Sequence, residues 1–220
     1  FDNVWNYFIS QKSKIYNERV KRKLEQSLSR IACFILAAGM SKRMGSENKL
    51  LKKYKNNIIL NQTLKNHFES KLKILNIVIG HDKESIKKNL RDFNIQIIEN
   101  LNYMSGMLTS IKEINNHIDE NITGIMISLA DMPLVSSEDI NSIIDAFLFH
   151  NEEKICIPES KGRFGNPMII PVGIYKKIIQ NENLLKDKGL KSTILDGKFD
   201  IIRISTSNGV LKDFDTQEDF

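Results

Sequence analysis

Residues Ile31 to Lys49 read I-A-C-F-I-L-A-A-G-M-S-K-R-M-G-S-E-N-K, an apolar run that passes directly into a loop with two glycines and three cations. Apolar residues in an unbroken run, without alternation, are the pattern of a strand covered on both faces, as in a parallel sheet. Ligands of open α/β sheets bind beyond the carboxyl ends of the strands. Glycine there lets backbone N–H groups approach a phosphate, and Lys42, Arg43 and Lys49 supply positive charge. Gly39 and Gly45 have the spacing of a P-loop, but no Lys-Ser/Thr pair follows and no G-x-G-x-x-G is present, so neither common phosphate loop fits.

Downstream, strand and helix patterns alternate. Ile58 to Ser70 reads as a helix with Ile58, Ile59, Leu64 and Phe68 as its apolar contribution, Ile74 to Gly80 as a strand, Ser85 to Leu90 as a helix and Ile95 to Ile98 as a strand. Gly106 precedes a helix expected to start near Thr109, whose free N–H groups suit an anionic or carbonyl ligand. Gly124 to Val135, G-I-M-I-S-L-A-D-M-P-L-V, is a buried strand expected to end in Asp131, with Pro133 forcing the chain out of the sheet. An amphipathic helix over Ser137 to Phe149 and a strand over Ile155 to Pro158 follow. This βαβ alternation predicts a parallel sheet, with Asp131 at the same edge as Gly39 to Lys49. His81 directly follows the second strand, where contact with a base or ribose and simple solvent exposure are equally open readings.

At 220 residues and 41% hydrophobic content, the chain suits one α/β domain with some extra length. Cys33 and Cys156 each lie in an apolar run and read as core residues rather than a disulfide or metal pair, which suits a reducing cytoplasm. No apolar run reaches the ~18 residues of a membrane span, and the start lacks the layout of a signal peptide. The net charge of +5 comes from a general abundance of lysine. Aromatics are scattered rather than gathered among the cations, so nucleic acid is not expected and a phosphorylated small substrate is the simpler partner. Residues 1–30 read as a basic, helix-prone extension with Tyr16, Val20, Leu24 and Leu28 on one face, either a linker to an upstream part or an interface for a partner. The start at Phe1 suggests a segment of something longer or a processed product.

The string L-A-A-G-x-S-x-R-M-G-x-x-x-K, from Leu36 to Lys49, resembles the signature loop of the MobA-like nucleotidyltransferases. Ala38 in place of a second glycine brings it nearest the branch that cytidylylates the molybdenum cofactor. The resemblance extends over residues 31–220. It includes Asn100, Gly106, Met107 and Ser110 in N-L-N-Y-M-S-G-M-L-T-S-I and the string L-A-D-M-P at Asp131. The segment K-G-R-F-G-N-P resembles the family's G-x-R-G-[HN]-P loop with Phe164 intervening. Asn166 there carries no titratable group, so acid/base work is not expected of it. Leu185 to Leu195 matches a further stretch at Asp187 and Gly189, with Lys191 replacing an arginine and losing its bidentate fork. The ending D-F-D-T-Q-E-D-F is similar to D-x-D-T-P-E-D with Gln217 for proline, and D-T-x-E is also a good helix N-cap. Members usually continue with a further helical stretch, so the chain is expected to be cut short there.

The resemblance implies a Rossmann-like, three-layer α/β/α nucleotidyltransferase fold of GT-A type with a mostly parallel sheet, forming one catalytic domain at 31–220. It implies transfer of a nucleoside monophosphate, CMP from CTP, to the phosphate of molybdopterin with release of pyrophosphate. The carried-over roles are phosphate gripping by Arg43 and Lys49 and Mg²⁺ held by Asp131 and Asp215. Nucleotide contacts fall on Leu36, Ala37, Ala38, Gly39, Ser41, Met44, Gly45, Gly80, Asn100, Gly106 and Ser110. Acceptor contacts fall on Gly165, Asn166, Pro167, Asp187 and Lys191. A sugar-1-phosphate nucleotidyltransferase and a non-catalytic, nucleotide-sensing domain of a longer protein remain as alternatives. A glycosyltransferase of similar fold would want an Asp-x-Asp at the fourth strand, which Leu129-Ala130-Asp131 does not supply.

Overall fold

The computed structural model describes residues 16–41, 47–181, 189–197 and 199–219. Its centre is β1 (Ile31–Ala37), every residue of which is buried. Ile31, Cys33, Ile35 and Ala37 point into one apolar cluster, and Ala32, Phe34 and Leu36 into another on the opposite face. A strand sandwiched in this way gains nothing from polar alternation, which is why its sequence is a continuous apolar run.

Around β1 the sheet builds outward on both sides. The hairpin β2 (Lys53–Tyr54) and β3 (Asn57–Ile58) is a separate two-stranded sheet. In the main sheet β1 pairs in parallel with β4 (Ile74–Ile79) and β6 (Gly124–Leu129), and β4 pairs in parallel with β5 (Gln96–Glu99). Beyond β6, β9 (Met168–Pro171) is antiparallel to both β6 and β7 (Ile155–Ser160). The edge strand β10 (Ile201–Ser205) runs parallel to β7, and β8 (Arg163–Phe164) folds back on β7 across Lys161 and Gly162, both at positive φ as a tight hairpin turn requires. The sheet is therefore mostly parallel, in the order β10-β7-β9-β6-β1-β4-β5.

Helices cover both faces. Residues 16–28 form α1, of which Leu28 is buried while Tyr16, Val20 and Leu24 face outward. On one side α2 (Ile59–Phe68), α3 (Lys83–Asn89) and α5 (Ser137–Phe149) contribute Ile59, Leu64, Ile86, Ile144 and Phe147 to the first cluster. On the other, α4 (Met107–Ile114), α6 (Val172–Gln180) and α7 (Leu190–Asp196) contribute Ile111, Ile114, Tyr175, Ile178 and Ile194 to the second. The result is the expected three-layer α/β/α arrangement. Among the described residues no helix is long and apolar enough to cross a membrane.

Several local expectations shift: Ile58 belongs to β3 rather than to the helix that follows it, and the limits of α3, β5 and β7 move by one or two residues. Strand β6 ends at Leu129 rather than at Asp131, because Asp131 has already turned out of the sheet. Helix α4 begins at Met107, two residues early. Phe68, expected in the core, is 36% exposed and packs on Phe93 at 5.4 Å, while its neighbour His67 is fully buried.

His67 Nδ1 donates to the Thr63 carbonyl at 2.8 Å, so Nε2 is the lone-pair nitrogen and accepts from Ser128 Oγ at 2.8 Å. Burial pushes its pKa down to about 4, against partial opposition from the Thr63 carbonyl. The unfolded chain therefore takes up this proton first as pH falls. The neutral histidine's contribution is intact above about pH 6.5 and is lost between there and pH 4, by ~3 kcal/mol. Urea denaturation at pH 7 and at pH 4.5 should show that loss in the native protein and a shallower loss in His67→Gln; equal losses in the two proteins refute it.

Candidate active site

Strand register gathers the site. Leu36 is opposite Leu129, and Ala130 N donates to the Leu36 carbonyl at 3.1 Å, so Ala37 to Gly39 and Asp131 leave the sheet side by side. On the other flank Ala37 is opposite Ile79, which brings up Gly80, and Asn100 N donates to the Ile79 carbonyl at 2.8 Å. Gly80 and Asn100 line a second cavity that shares Tyr103, and the ends of β1 and β6 meet around one of about 180 Å³. Leu36 to Met40, Lys49, Tyr103, Gly106, Met107, Ser110 and Asp131 are among the residues that line it. It lies at the carboxyl edge of the parallel strands, where an open α/β sheet binds its ligands.

Lys49 occupies the middle of the charged wall. Its backbone N donates to Ser41 Oγ at 3.2 Å, closing the loop that leaves β1, and Asn48 caps the following turn by accepting from Leu50 N at 3.1 Å. Lys49 Nζ donates to both Asp131 Oδ2 and Asp215 Oδ1. Asp215 arrives from the far end of the chain because Phe214 N donates to the Asp131 carbonyl at 2.9 Å and the Phe214 ring is buried edge-on against Tyr54. Asp219 fixes the turn by accepting from Asp215 N at 2.9 Å and Thr216 N at 2.8 Å.

The electrostatics follow from that geometry. Burial pulls the Lys49 ammonium down, but Asp131 and Asp215 together outweigh it and hold its pKa above the usual lysine value. Burial pushes the Asp131 carboxyl up, Lys49 opposes that push, and the charges of Asp213 and Asp215 add to it. Asp131 Oδ1 is buried and, among the described residues, has no hydrogen-bond partner. A buried carboxylate oxygen left in this state suits a hard cation. No three His, Cys, Asp or Glu side chains converge as a complete metal shell among the described residues. Two carboxylates with the balance supplied by water and phosphate is the pattern that Mg²⁺ uses.

The segment from Asn100 to Ser110 shapes the opposite wall. Asn100 is buried, and its amide donates to Thr109 Oγ1 at 2.8 Å and Ser110 Oγ at 2.9 Å while accepting from Asn102 N at 2.9 Å. Its side chain therefore holds this loop together, and Ser110 is the member of the pair that lines the cavity. Gly106 has φ +102°, a conformation that L side chains rarely adopt, which explains glycine at the start of α4. Tyr103 lies directly over Gly80, where a Cβ would stand 2.6 Å from that of Tyr103. His81 stacks on the same tyrosine ring, with centroids 6.1 Å apart and planes 7° from parallel. Sequence reasoning missed Tyr103; its signal is an aromatic in the glycine-led segment, three residues before Gly106.

Further out, Gly165 N donates to the Pro158 carbonyl at 2.8 Å and Asn166 N to the Val210 carbonyl at 2.9 Å, which seats the loop that continues into Pro167 and β9. Lys191 Nζ donates to the Phe164 carbonyl, so this lysine braces the loop from α7. Burial and then the Arg163 charge hold its pKa below the usual lysine value, with Asp213 opposing them. Arg43, Met44, Gly45 and Asp187 lie outside the described residues.

The profile of the MobA-like NTP transferase domain matches residues 33–199. The chain is 26% identical to the molybdenum cofactor cytidylyltransferase of Escherichia coli K12 over 193 residues, 88% of this chain and 95% of that protein. Among solved structures, Rv0371C of Mycobacterium tuberculosis in complex with manganese superposes with a TM-score of 0.69 at 20% identity, covering 86% of this chain and 95% of that one. The 4-diphosphocytidyl-2C-methyl-D-erythritol synthase of Anaerococcus prevotii also superposes with a TM-score of 0.69, at 16% identity, covering 87% and 95%.

Replacing Lys49 by methionine leaves Asp131 and Asp215 facing each other without their shared ammonium. The Lys49→Met protein should melt at a lower temperature than the native one, and millimolar Mn²⁺ alone should raise its melting point more than it raises the native protein's. Equal Mn²⁺ responses in a thermal-shift measurement contradict this.

Proposed function

The chain belongs to the family of MobA-like NTP transferase domains, and on that premise we propose that it transfers CMP from CTP to the terminal phosphate of a molybdopterin acceptor. The observation that carries the reading is the Lys49 ammonium between Asp131 and Asp215 beside the glycine loop, a cluster with one carboxylate charge in excess that a divalent cation would bridge to a polyphosphate. An acceptor phosphate oxygen attacks the α-phosphorus and forms the new P–O bond. The bond from the α-phosphorus to the bridging oxygen breaks, and pyrophosphate leaves with that electron pair. The acceptor is its own nucleophile, so the protein's tasks are alignment and charge neutralisation.

Lys49 neutralises charge that develops on the transferring and leaving phosphates, with Arg43 assigned the same task from the sequence, and backbone N–H groups near Gly39 receive the leaving group. Asp131 and Asp215 are the residues that would hold Mg²⁺, which lowers the charge of the triphosphate and polarises the reacting phosphorus. The manganese in the Rv0371C complex supports a divalent cation in this fold. Ala37, Ala38 and Tyr103 are the surfaces left for ribose and base. The E. coli relative's cytidylyl transfer supports CTP and the molybdenum cofactor as substrates. Residues 1–30 are read as an extension in front of a catalytic domain at 31–220, and the enzyme as cytoplasmic.

Asp131→Asn should abolish transfer, because an amide is a far poorer Mg²⁺ ligand than a carboxylate. Turnover near the native rate at saturating Mg²⁺ places the metal carboxylate elsewhere. The base is set at Ala38, whose methyl narrows the approach to the backbone and favours a pyrimidine by ~1 to 3 kcal/mol, or tens of fold. Competition among all four NTPs with a molybdopterin acceptor should yield the cytidylylated product first, and Ala38→Gly should relax the preference while leaving CTP use largely intact. A purine nucleotide that wins outright overturns the cytidylyl assignment, and transfer only to a sugar-1-phosphate overturns the acceptor.

A further inference from the structure

We propose that Thr63 and Asn66 of α2 are positioning residues for Asp131, and that through it they set the protein's affinity for the divalent cation. The inference rests on the nucleotidyltransferase reading above, with Asp131 as a metal carboxylate. Once β6 ends at Leu129, the carbonyls of 130–135 have left the sheet ladder, and buried carbonyls need partners from elsewhere. The chain supplies some of these itself: Phe214 N donates to the Asp131 carbonyl and Val135 N to that of Met132 at 3.3 Å.

Helix α2 supplies three more. The Thr63 hydroxyl, 1% exposed, donates to the Ala130 carbonyl at 3.0 Å. Asn66 Nδ2 donates to the carbonyls of Pro133 at 3.1 Å and Val135 at 2.7 Å, and its orientation is set by Gln62 Nε2, which donates to Asn66 Oδ1 at 2.9 Å. The bonded carbonyls bracket Asp131 on both sides. The helix that holds them is anchored by the buried Ile59, Leu60 and Leu64. Thr63 and Asn66 are three positions apart and so share a helix face, with His67 extending it to Ser128. A threonine hydroxyl in a helix commonly bonds back to its own preceding turn; here it is spent on a loop 67 residues away. Loss of these donors lets 130–135 relax, and Asp131 with it, relative to Asp215 and Lys49.

Thr63→Val keeps the branched shape and removes the hydroxyl, Thr63→Ser keeps the hydroxyl, and Asn66→Leu keeps bulk without the donors. Mn²⁺ alone, titrated into the full chain and followed by the free-ion signal in electron paramagnetic resonance, reads affinity without turnover. Thr63→Val and Asn66→Leu should weaken Mn²⁺ binding roughly tenfold or more, as outer-shell partners of metal ligands do, with Thr63→Ser close to native. The Mg²⁺ concentration for half-maximal transfer should rise in step, which mere loss of stability does not produce. Folded Thr63→Val protein that binds Mn²⁺ within about twofold of native overturns the proposal. If Asn66→Leu fails to fold, the Thr63 pair decides alone. A native protein that neither binds Mn²⁺ nor transfers a nucleotide in its presence overturns the underlying reading instead.

Discussion

One ammonium shared by two carboxylates is the constraint around which the site is assembled. Lys49, Asp131 and Asp215 come from a loop after the first strand, a turn after the sixth and the C-terminal segment, so their meeting fixes three distant parts of the chain at once. None of the three is well solvated, and the side chains of Lys49 and Asp131 are only 14% and 16% exposed. A carboxylate in that setting is costly unless paired, and a lone lysine cannot satisfy every oxygen that faces it. Asp131 Oδ1 is left without a hydrogen-bond partner among the described residues, and the backbone around the two acids keeps them in place all the same. The Phe214 amide on the Asp131 carbonyl and the Asp219 carboxylate under the Asp215 turn hold the two acids against the Lys49 ammonium, rather than leaving them to separate.

Scaffold and site divide along the same line. The parallel block β5-β4-β1-β6 is packed on both faces by apolar residues and carries no chemistry until its strands end. At those ends polar side chains take over from the sheet ladder. Asn100 knits one loop, Asn48 another by donating to Asp82 at 3.3 Å, and the buried Asp139 ties the start of α5 to Ser207 at 2.8 Å. Each of these bonds holds a loop in place where the sheet ladder no longer reaches.

Much of this was legible in the sequence where a single physical pressure acts alone. Full burial wrote β1 and β6 as apolar runs, and one-sided burial wrote α5 with limits that match the structure at Ser137 and Phe149. Strands β9 and β10 escaped because they are short and their pairing partners are remote, so no local period distinguishes them from loop. Phe68 misled because helix α2 spends its buried face on His67 and Thr63, polar residues that hydrophobic periodicity counts as outward. At the site, Lys49 and Asp131 were visible as charged residues at the ends of buried strands, and Asp215 through its motif. Their direct contact was not, since nothing local in the sequence reports that residues 49 and 215 meet. Asn66 was invisible for the same reason, whereas Tyr103 had a local signal, its place three residues before Gly106, that sequence reasoning missed.

The antiparallel strand β9 has a consequence for how such a protein can diversify. The loop of Gly165 to Pro167 hangs between β8 and β9, on the far side of β6 from β1, and is seated by Pro158 and Val210 rather than by the parallel block. Insertions and substitutions there leave the register of β1 with β4 and β6 untouched. That loop and the strand ends that carry Gly39 and Asp131 are therefore mechanically separate, so one half of the sheet can vary in length and side chains without moving the other.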